Sequence, residues 1–104
     1  MNPQNCLTSG PLAICRERFE VRINGATVIL TLAEFRLLEA LVRNAGQVIE
    51  RSGLLAEIAP HHKIVERNID VHIFSLRRKL GSVARRLRTV RGLGYKWDPA
   101  TRVS

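Results

Sequence analysis

The residues of this chain whose types and spacing can do chemistry gather over Glu66–Leu80, ERNIDVHIFSLRRKL, and in the basic tract that follows. On a helix, residues three and four apart share a face. Ile69, Ile73, Leu76 and Leu80 then form one apolar stripe, while Arg67, Val71, Phe74 and Arg78 gather on the opposite side with Asn68 and Ser75 on its flank. The stripe must bury against a neighbour. The other face sets two apolar residues between two arginines, and a packed back with a mixed basic and apolar front suits a DNA major groove. The alternative is an amphipathic core helix that leaves two apolar residues outside.

Charge distribution sharpens this. The net charge of the 104 residues is +8. From Met1 to Leu76 acids and bases balance. From Arg77 onward Arg77, Arg78, Lys79, Arg85, Arg86, Arg88, Arg91, Lys96 and Arg102 face Asp98 alone. A wholly C-terminal excess of this kind points to a polyanion, most often nucleic acid.

Other chemistries find less support. His61-His62 with His72 lacks a Cys or carboxylate at a familiar ligand spacing, so no metal is expected and His72 reads as a donor on a helix flank. No nucleophile-elbow or phosphate-loop motif occurs, and neither an enzyme nor a cofactor is expected. Cys6 and Cys15 fit no ligand pattern and read as free thiols in a reducing compartment; a disulfide between them needs an oxidising setting that nothing else suggests. No apolar run is long enough to span a membrane and no signal-peptide pattern is present, so the chain reads as cytosolic. Tyr95 and Trp97, placed on alternate faces, read as packing of a hairpin on the core rather than as base-stacking platforms.

The elements that must position these residues follow from pattern. Residues 1–11 read as a tail or linker with a short strand at Cys6–Thr8, and residues 99–104 as a second tail around a domain at 12–98. Leu12–Cys15 is a strand, Phe19, Val21 and Ile23 alternate as in a half-buried strand, and Ala26–Leu30 returns across Asn24-Gly25, a type I′ turn signal. Thr31 and Glu34 form a capping box ahead of Phe35, Leu38, Leu41 and Val42, with Gly46 at about C′. Val48-Ile49 is a brief extended link. Leu54, Leu55 and Ile58 mark a short helix that Pro60 stops. The long helix ends at Gly81, and Leu87–Arg91 and Tyr95–Trp97 pair across Gly92-Leu93-Gly94. The fold class is α+β, a winged helix-turn-helix with an N-terminal antiparallel sheet, three helices and a C-terminal β-hairpin wing.

With this order in place, the chain resembles the OmpR/PhoB-type effector domain of bacterial two-component response regulators from about Leu12 to Trp97. The resemblance rests on Leu30-Thr31-x-x-Glu34-Phe35-x-Leu37-Leu38, on Gly46-x-Val48-x-x-Arg51-x-x-Leu54-Leu55, on Ile69-Asp70-Val71-His72-Ile73-x-x-Leu76-Arg77-x-Lys79-Leu80 and on Thr89-Val90-Arg91-Gly92-x-Gly94-Tyr95. It implies sequence-specific binding of double-stranded DNA in transcription control. The third helix would set Arg67, Asn68 and Val71 near bases and His72 and Arg78 near phosphates, with Phe74 and Ser75 on the same front. The wing would place Arg91 in the minor groove and Thr89 on the backbone. The loop at 59–63 would touch RNA polymerase, and two copies would occupy DNA in tandem, the isolated chain being a monomer.

Several positions depart from the family pattern. Glu50 stands where a Ser or Thr cap is usual, Ala59 replaces a common tryptophan, Gly53 interrupts the short helix, and Phe74 and Ser75 replace basic or polar residues. No receiver domain is included, so the chain is expected to be an excised effector domain or one regulated by other means. The alternative function from another class is a winged-helix module that holds protein or structured RNA.

Overall fold

The computed structural model describes residues 6–58 and 68–99. Its first layer is a four-stranded antiparallel sheet of β1 (Cys6–Ser9), β2 (Leu12–Cys15), β3 (Glu20–Ile23) and β4 (Ala26–Val28), in sequential order. The sheet thus starts inside the stretch read as a tail. Gly10, at φ 59, and Pro11 turn β1 into β2 so that Ser9 stands opposite Leu12. Positive φ at the first of two central residues is the type II′ requirement. That register also sets Cys6 opposite Cys15, and the two form a disulfide. The free-thiol reading is therefore corrected. The pairing is a property of the hairpin, whose opposed side chains share a face, and residue spacing alone did not show it.

The second turn is as expected: Asn24 and Gly25 both have positive φ, 53 and 84, the type I′ pattern. Phe19 departs from expectation. It is not a strand residue but closes a 3-10 turn over Arg16–Arg18 at φ 50, with its N–H donating to Arg16 O at 3.1 Å. Its ring lies 5.1 Å from that of Phe35. The alternation begins at Val21 instead.

Helix α1 (Leu32–Arg43) follows, with both bonds of the capping box present: Glu34 N–H donates to Thr31 Oγ1 at 3.1 Å and Thr31 N–H to Glu34 Oε1 at 2.9 Å. The helix is buried on nearly every side, from Ala33 to Val42 apart from Arg36. Such a helix is the centre of a fold; α1 packs on β1, on α2 (Arg51–Ile58) and on α3 (Ile69–Leu80). Its C-cap is Asn44, which puts Gly46 two residues past the cap rather than one, with its N–H donating to Trp97 O at 2.8 Å.

The extended link is itself a strand. β5 (Ile49–Glu50) pairs with β7 (Gly94–Trp97), which pairs with β6 (Leu87–Val90), so the expected hairpin is part of a three-stranded sheet. Gly94 is required there by close approach: a Cβ at this position would lie 2.2 Å from Ile49 O. A six-residue 3-10 segment, Gly81–Arg86, joins α3 to β6. Tyr95 and Trp97 are both buried, on one face rather than two, because strand residues two apart point the same way. Trp97 Nε1 donates to Ser9 Oγ at 3.0 Å, linking the two sheets. The core that results draws on Leu12, Ile14 and Val21 from the first sheet, Leu37, Leu38 and Leu41 from α1, Leu54 and Ile58 from α2, and the Ile69–Ile73–Leu76–Leu80 stripe of α3. Among the described residues, no helix is long and apolar enough to cross a membrane.

Candidate nucleic-acid interface

Helix α3 begins later than its periodicity suggests. Asn68 is its N-cap, with extended backbone, and its Oδ1 accepts from Asp70 N–H at 3.0 Å. A short amide side chain satisfies an orphan donor of the first turn in this way. Asn68 therefore precedes the helix rather than flanking its body. Arg67 and the loop at 59–63, with His61 and His62, lie outside the described residues. At the other end Arg77, Arg78 and Lys79 occupy the last turn, where cations offset the negative end of the helix dipole.

The stripe of α3 is buried as expected, and the opposite face is open. Phe74 is 65% and Val71 48% exposed. Arg78 is exposed next to them, its Cζ 5.9 Å from the Phe74 ring centroid, within cation–π range. His72 is half-buried on the flank. Ser75 does not join this front: its hydroxyl turns back to α1 and donates to Glu34 Oε2 at 2.6 Å.

Glu34 holds α3 to α1. Its carboxylate accepts from Thr31 N–H, Ser75 Oγ and Lys79 Nζ, the last at 2.7 Å, and the residue is 3% exposed. Burial pushes its carboxyl up, but the Lys79, Ser75 and Thr31 donors outweigh burial and hold it below the ordinary value.

A second junction fixes the hairpin relative to α3. Asp70, in the first turn of α3, accepts from Tyr95 Oη on β7 and from Arg51 Nε on α2, the latter at 2.9 Å. These two bonds lower the Asp70 pKa. Burial and the Asp70 carboxylate raise that of Tyr95. Two guanidinium groups approach the Tyr95 ring, Arg51 with its Cζ 5.2 Å and Arg77 with its Cζ 5.5 Å from the ring centroid. Arg77 then reaches the wing strand, donating through Nη2 to Leu87 O and to Thr89 Oγ1, both at 2.8 Å. Thr89 is exposed and keeps its own proton to donate outward. At the tip, Leu93 N–H donates to Val90 O at 2.9 Å and Gly92 has φ 79, as a type II turn requires at its third residue. Arg91 projects from this turn, exposed and with no ion pair among the described residues, next to Leu93, which is 53% exposed.

Val71, Phe74, Arg78 and, on a separate element, Thr89 and Arg91 thus lie on open surface, while Asn68 and Ser75 have intramolecular duties. Sequence reasoning left Asp70, Arg77, Tyr95 and Arg51 without a site role. Tyr95 next to a glycine turn and an acid in the first turn of the helix were the available signals. Among the described residues, no group of three His, Cys, Asp or Glu side chains is placed to hold a metal ion.

Comparison with known proteins agrees with this arrangement. Residues 25–97 match the family "Transcriptional regulatory protein, C terminal". The atypical response regulator protein ChxR of Chlamydia trachomatis is 45% identical over 87 residues, 83% of this chain and 38% of that protein. The chain thus spans well under half the length of this relative. Among solved structures, the Klebsiella pneumoniae RstA DNA-binding domain in complex with the RstA box superposes with a TM-score of 0.80 at 33% identity, covering 92% of this chain and 99% of that one. The DNA binding domain of CpxR from Escherichia coli gives 0.79 at 34% identity, covering 92% and 98%. The family match, spanning α1 through the wing, and these likenesses of sequence and fold lead to one conclusion: the chain belongs to the OmpR/PhoB-type C-terminal effector domains of bacterial transcriptional regulators.

Proposed function

We propose that this domain binds double-stranded DNA sequence-specifically to regulate transcription, with α3 in the major groove and the β6–β7 wing at the neighbouring minor groove. The observation that carries the reading is the pairing of two open surfaces at a fixed separation. The Val71–Phe74–Arg78 face of α3 and Arg91 at the wing tip are tied together by Asp70–Tyr95 and by Arg77 on Leu87 and Thr89. A readout element and a minor-groove arginine held in register is what two adjacent grooves demand. The related RstA domain is seen in complex with its DNA box. Nothing in the fold favours a module for structured RNA, whose deep major groove excludes a helix.

In this reading Val71 and Phe74 meet bases, His72 and Arg78 meet phosphates, Thr89 meets the backbone and Arg91 enters the minor groove. Asn68, whose oxygen caps α3, would lie near bases at the start of the helix, and Ser75 positions α3 rather than touching DNA. Arg67, one residue before the cap, would approach the same groove. Two copies would bind in tandem, the 59–63 loop would face RNA polymerase, and the domain would act where the chromosome is, in the cytoplasm.

The test is a titration of wild type and Arg91→Ala against a selected duplex with and without an A-tract on the wing side. The substitution should cost affinity and cost more on the A-tract, whose narrow minor groove concentrates negative potential. Equal losses on both duplexes would remove the minor-groove role, and no loss would remove the wing from the interface.

A further inference from the structure

Binding through α3 and the wing tip leaves a second concentration of charge unused. In the β6–β7 ladder Leu87 stands opposite Trp97 and Thr89 opposite Tyr95, and Leu87, Tyr95 and Trp97 are buried. Successive residues alternate faces, so Arg88 and Lys96, which stand opposite one another, both lie on the outer face. Like charges directly opposed weaken a strand pair. The Arg88 side chain has its own carboxylate: Asp98 Oδ2 accepts from Arg88 Nη1 at 2.7 Å. At the foot of this face Arg85, Arg86 and Arg88 line an open depression of about 460 Å³ with Asp98 and Pro99. Arg86 is turned onto Pro99 O at 3.0 Å, while Arg85 is exposed and makes no ion pair among the described residues. Four cations therefore share a surface distinct from the outward face of α3 with two acids, Asp98 and, one strand over, the exposed Glu50, which stands opposite Gly94 and so on the Lys96 side of the sheet.

We propose that this outer face of the wing sheet is a second DNA contact, seating the phosphate backbone on the far wall of the minor groove that Arg91 enters. The proposal rests on the wing reading given above. Arg88 is three residues behind Arg91, about 10 Å along the strand at roughly 3.3 Å per residue. The minor groove of B-DNA is only about 6 Å wide. With the tip in the groove, side chains about 10 Å behind it come level with the bordering phosphates. An open row of long cationic side chains suits a string of phosphates better than one small anion, which calls for an enclosed site. The contact carries no base information; it adds affinity and register. It extends the occupied DNA beyond the wing, on the side away from α3.

The experiment uses the whole chain and a duplex with one binding site, in a long form and in a form truncated just past the wing-side minor groove. Arg85→Gln/Lys96→Gln is compared with wild type across 50 to 200 mM salt, with folding checked by circular dichroism. Two lost phosphate contacts should reduce the log–log salt slope by about 1.8. The ratio of wild-type to variant affinity should accordingly shrink about twelvefold over this salt range on the long duplex. On the truncated duplex the two proteins should match. Asp98→Asn, which removes the acid bonded to Arg88, should bind the long duplex more tightly. That gain is an outcome a purely structural role would not produce. An unchanged slope for the double variant, while Arg91→Ala still weakens binding, overturns this proposal and leaves the wing reading intact. If Arg91→Ala is also without effect, the wing reading itself fails. A variant with normal single-site affinity that loses only cooperative filling of two sites would show the face to be a contact between proteins, again overturning the proposal.

Discussion

Replacing Glu34 by Gln should loosen α3 from α1 in a way that depends on pH. The carboxylate takes three donors, Thr31 N–H, Ser75 Oγ and Lys79 Nζ, in a site that is 3% exposed. Glutamine keeps the shape but turns one oxygen into an N–H₂ group that must face a donor. Hydrogen bonds to a charged group contribute about 1.5–3 kcal/mol each. The Lys79 side chain is 37% exposed, so its ion pair is discounted for solvent screening. We expect a loss of about 2 kcal/mol, which for a domain of this size lowers the Tm by roughly 8–16 °C. Urea unfolding followed through the single, buried Trp97 measures it. The sign with pH is fixed by the lowered pKa of Glu34. A carboxyl depressed in the fold contributes stability above its unfolded value, about 4.3, and loses it as pH falls through the folded value. The gap between wild type and Glu34→Gln should be full near pH 7 and close progressively below about pH 4. A gap that stays constant from pH 7 to pH 3 would refute the assignment of this stability to the charged carboxylate.

Two other perturbations test how the sheets are held. Gly94→Ala puts a Cβ onto the Ile49 carbonyl and should cost about 1–3 kcal/mol by forcing β5 from β7; a melting temperature equal to wild type would show that β5 moves aside freely. Reducing the Cys6–Cys15 bond, or replacing both residues by Ser, should cost about 2–3 kcal/mol for so short a loop. Wild type in reductant and the double Ser variant should then melt together, and a melting point insensitive to reductant contradicts the expectation.

What the sequence disclosed divides along physical lines. Features set by neighbouring residues were legible: the Thr31–Glu34 capping box, the Asn24-Gly25 turn, the apolar stripe of α3 and its end at Gly81. Features created by juxtaposing distant segments were not. β5 has two residues, too few for a period of two to show. Glu34 reads as a cap from sequence, and its grip on Ser75 and Lys79, more than forty residues away, exists only in the fold. The Asp70–Tyr95–Arg51 junction is of the same kind, assembled from three elements. Asn68 was misjudged for a different reason. A helical repeat extended backward through it, although Asn is among the best N-caps and Asp70 in the following turn fits a helix start. The front of α3 was readable because burial leaves the opposite side no choice.

That front carries the last prediction: Phe74 and Val71 contact thymine methyl groups and set the sequence preference of this domain. Phe74 stands on the open side of α3, opposite the buried stripe. It is 65% exposed, and its ring has the Arg78 guanidinium 5.9 Å from its centroid. Leaving a phenylalanine in water forgoes up to about 2 kcal/mol of burial. In the major groove the C5-methyl of thymine is the apolar partner available. At 5.9 Å the Arg78 guanidinium is within cation–π range, so it covers part of the ring without burying it. Because the side chain is outside the core, Phe74→Ala should leave stability within about 0.5 kcal/mol of wild type. The decisive perturbation is in the DNA: replacing each thymine of a selected site by uracil, one at a time, removes only the methyl. We expect a loss of about 1 kcal/mol, roughly fivefold in affinity, at one or two positions, and none at those positions in Phe74→Ala or Val71→Ala. Uracil tolerated throughout the site, or a Phe74→Ala protein that no longer folds, would make these residues structural and remove them from recognition.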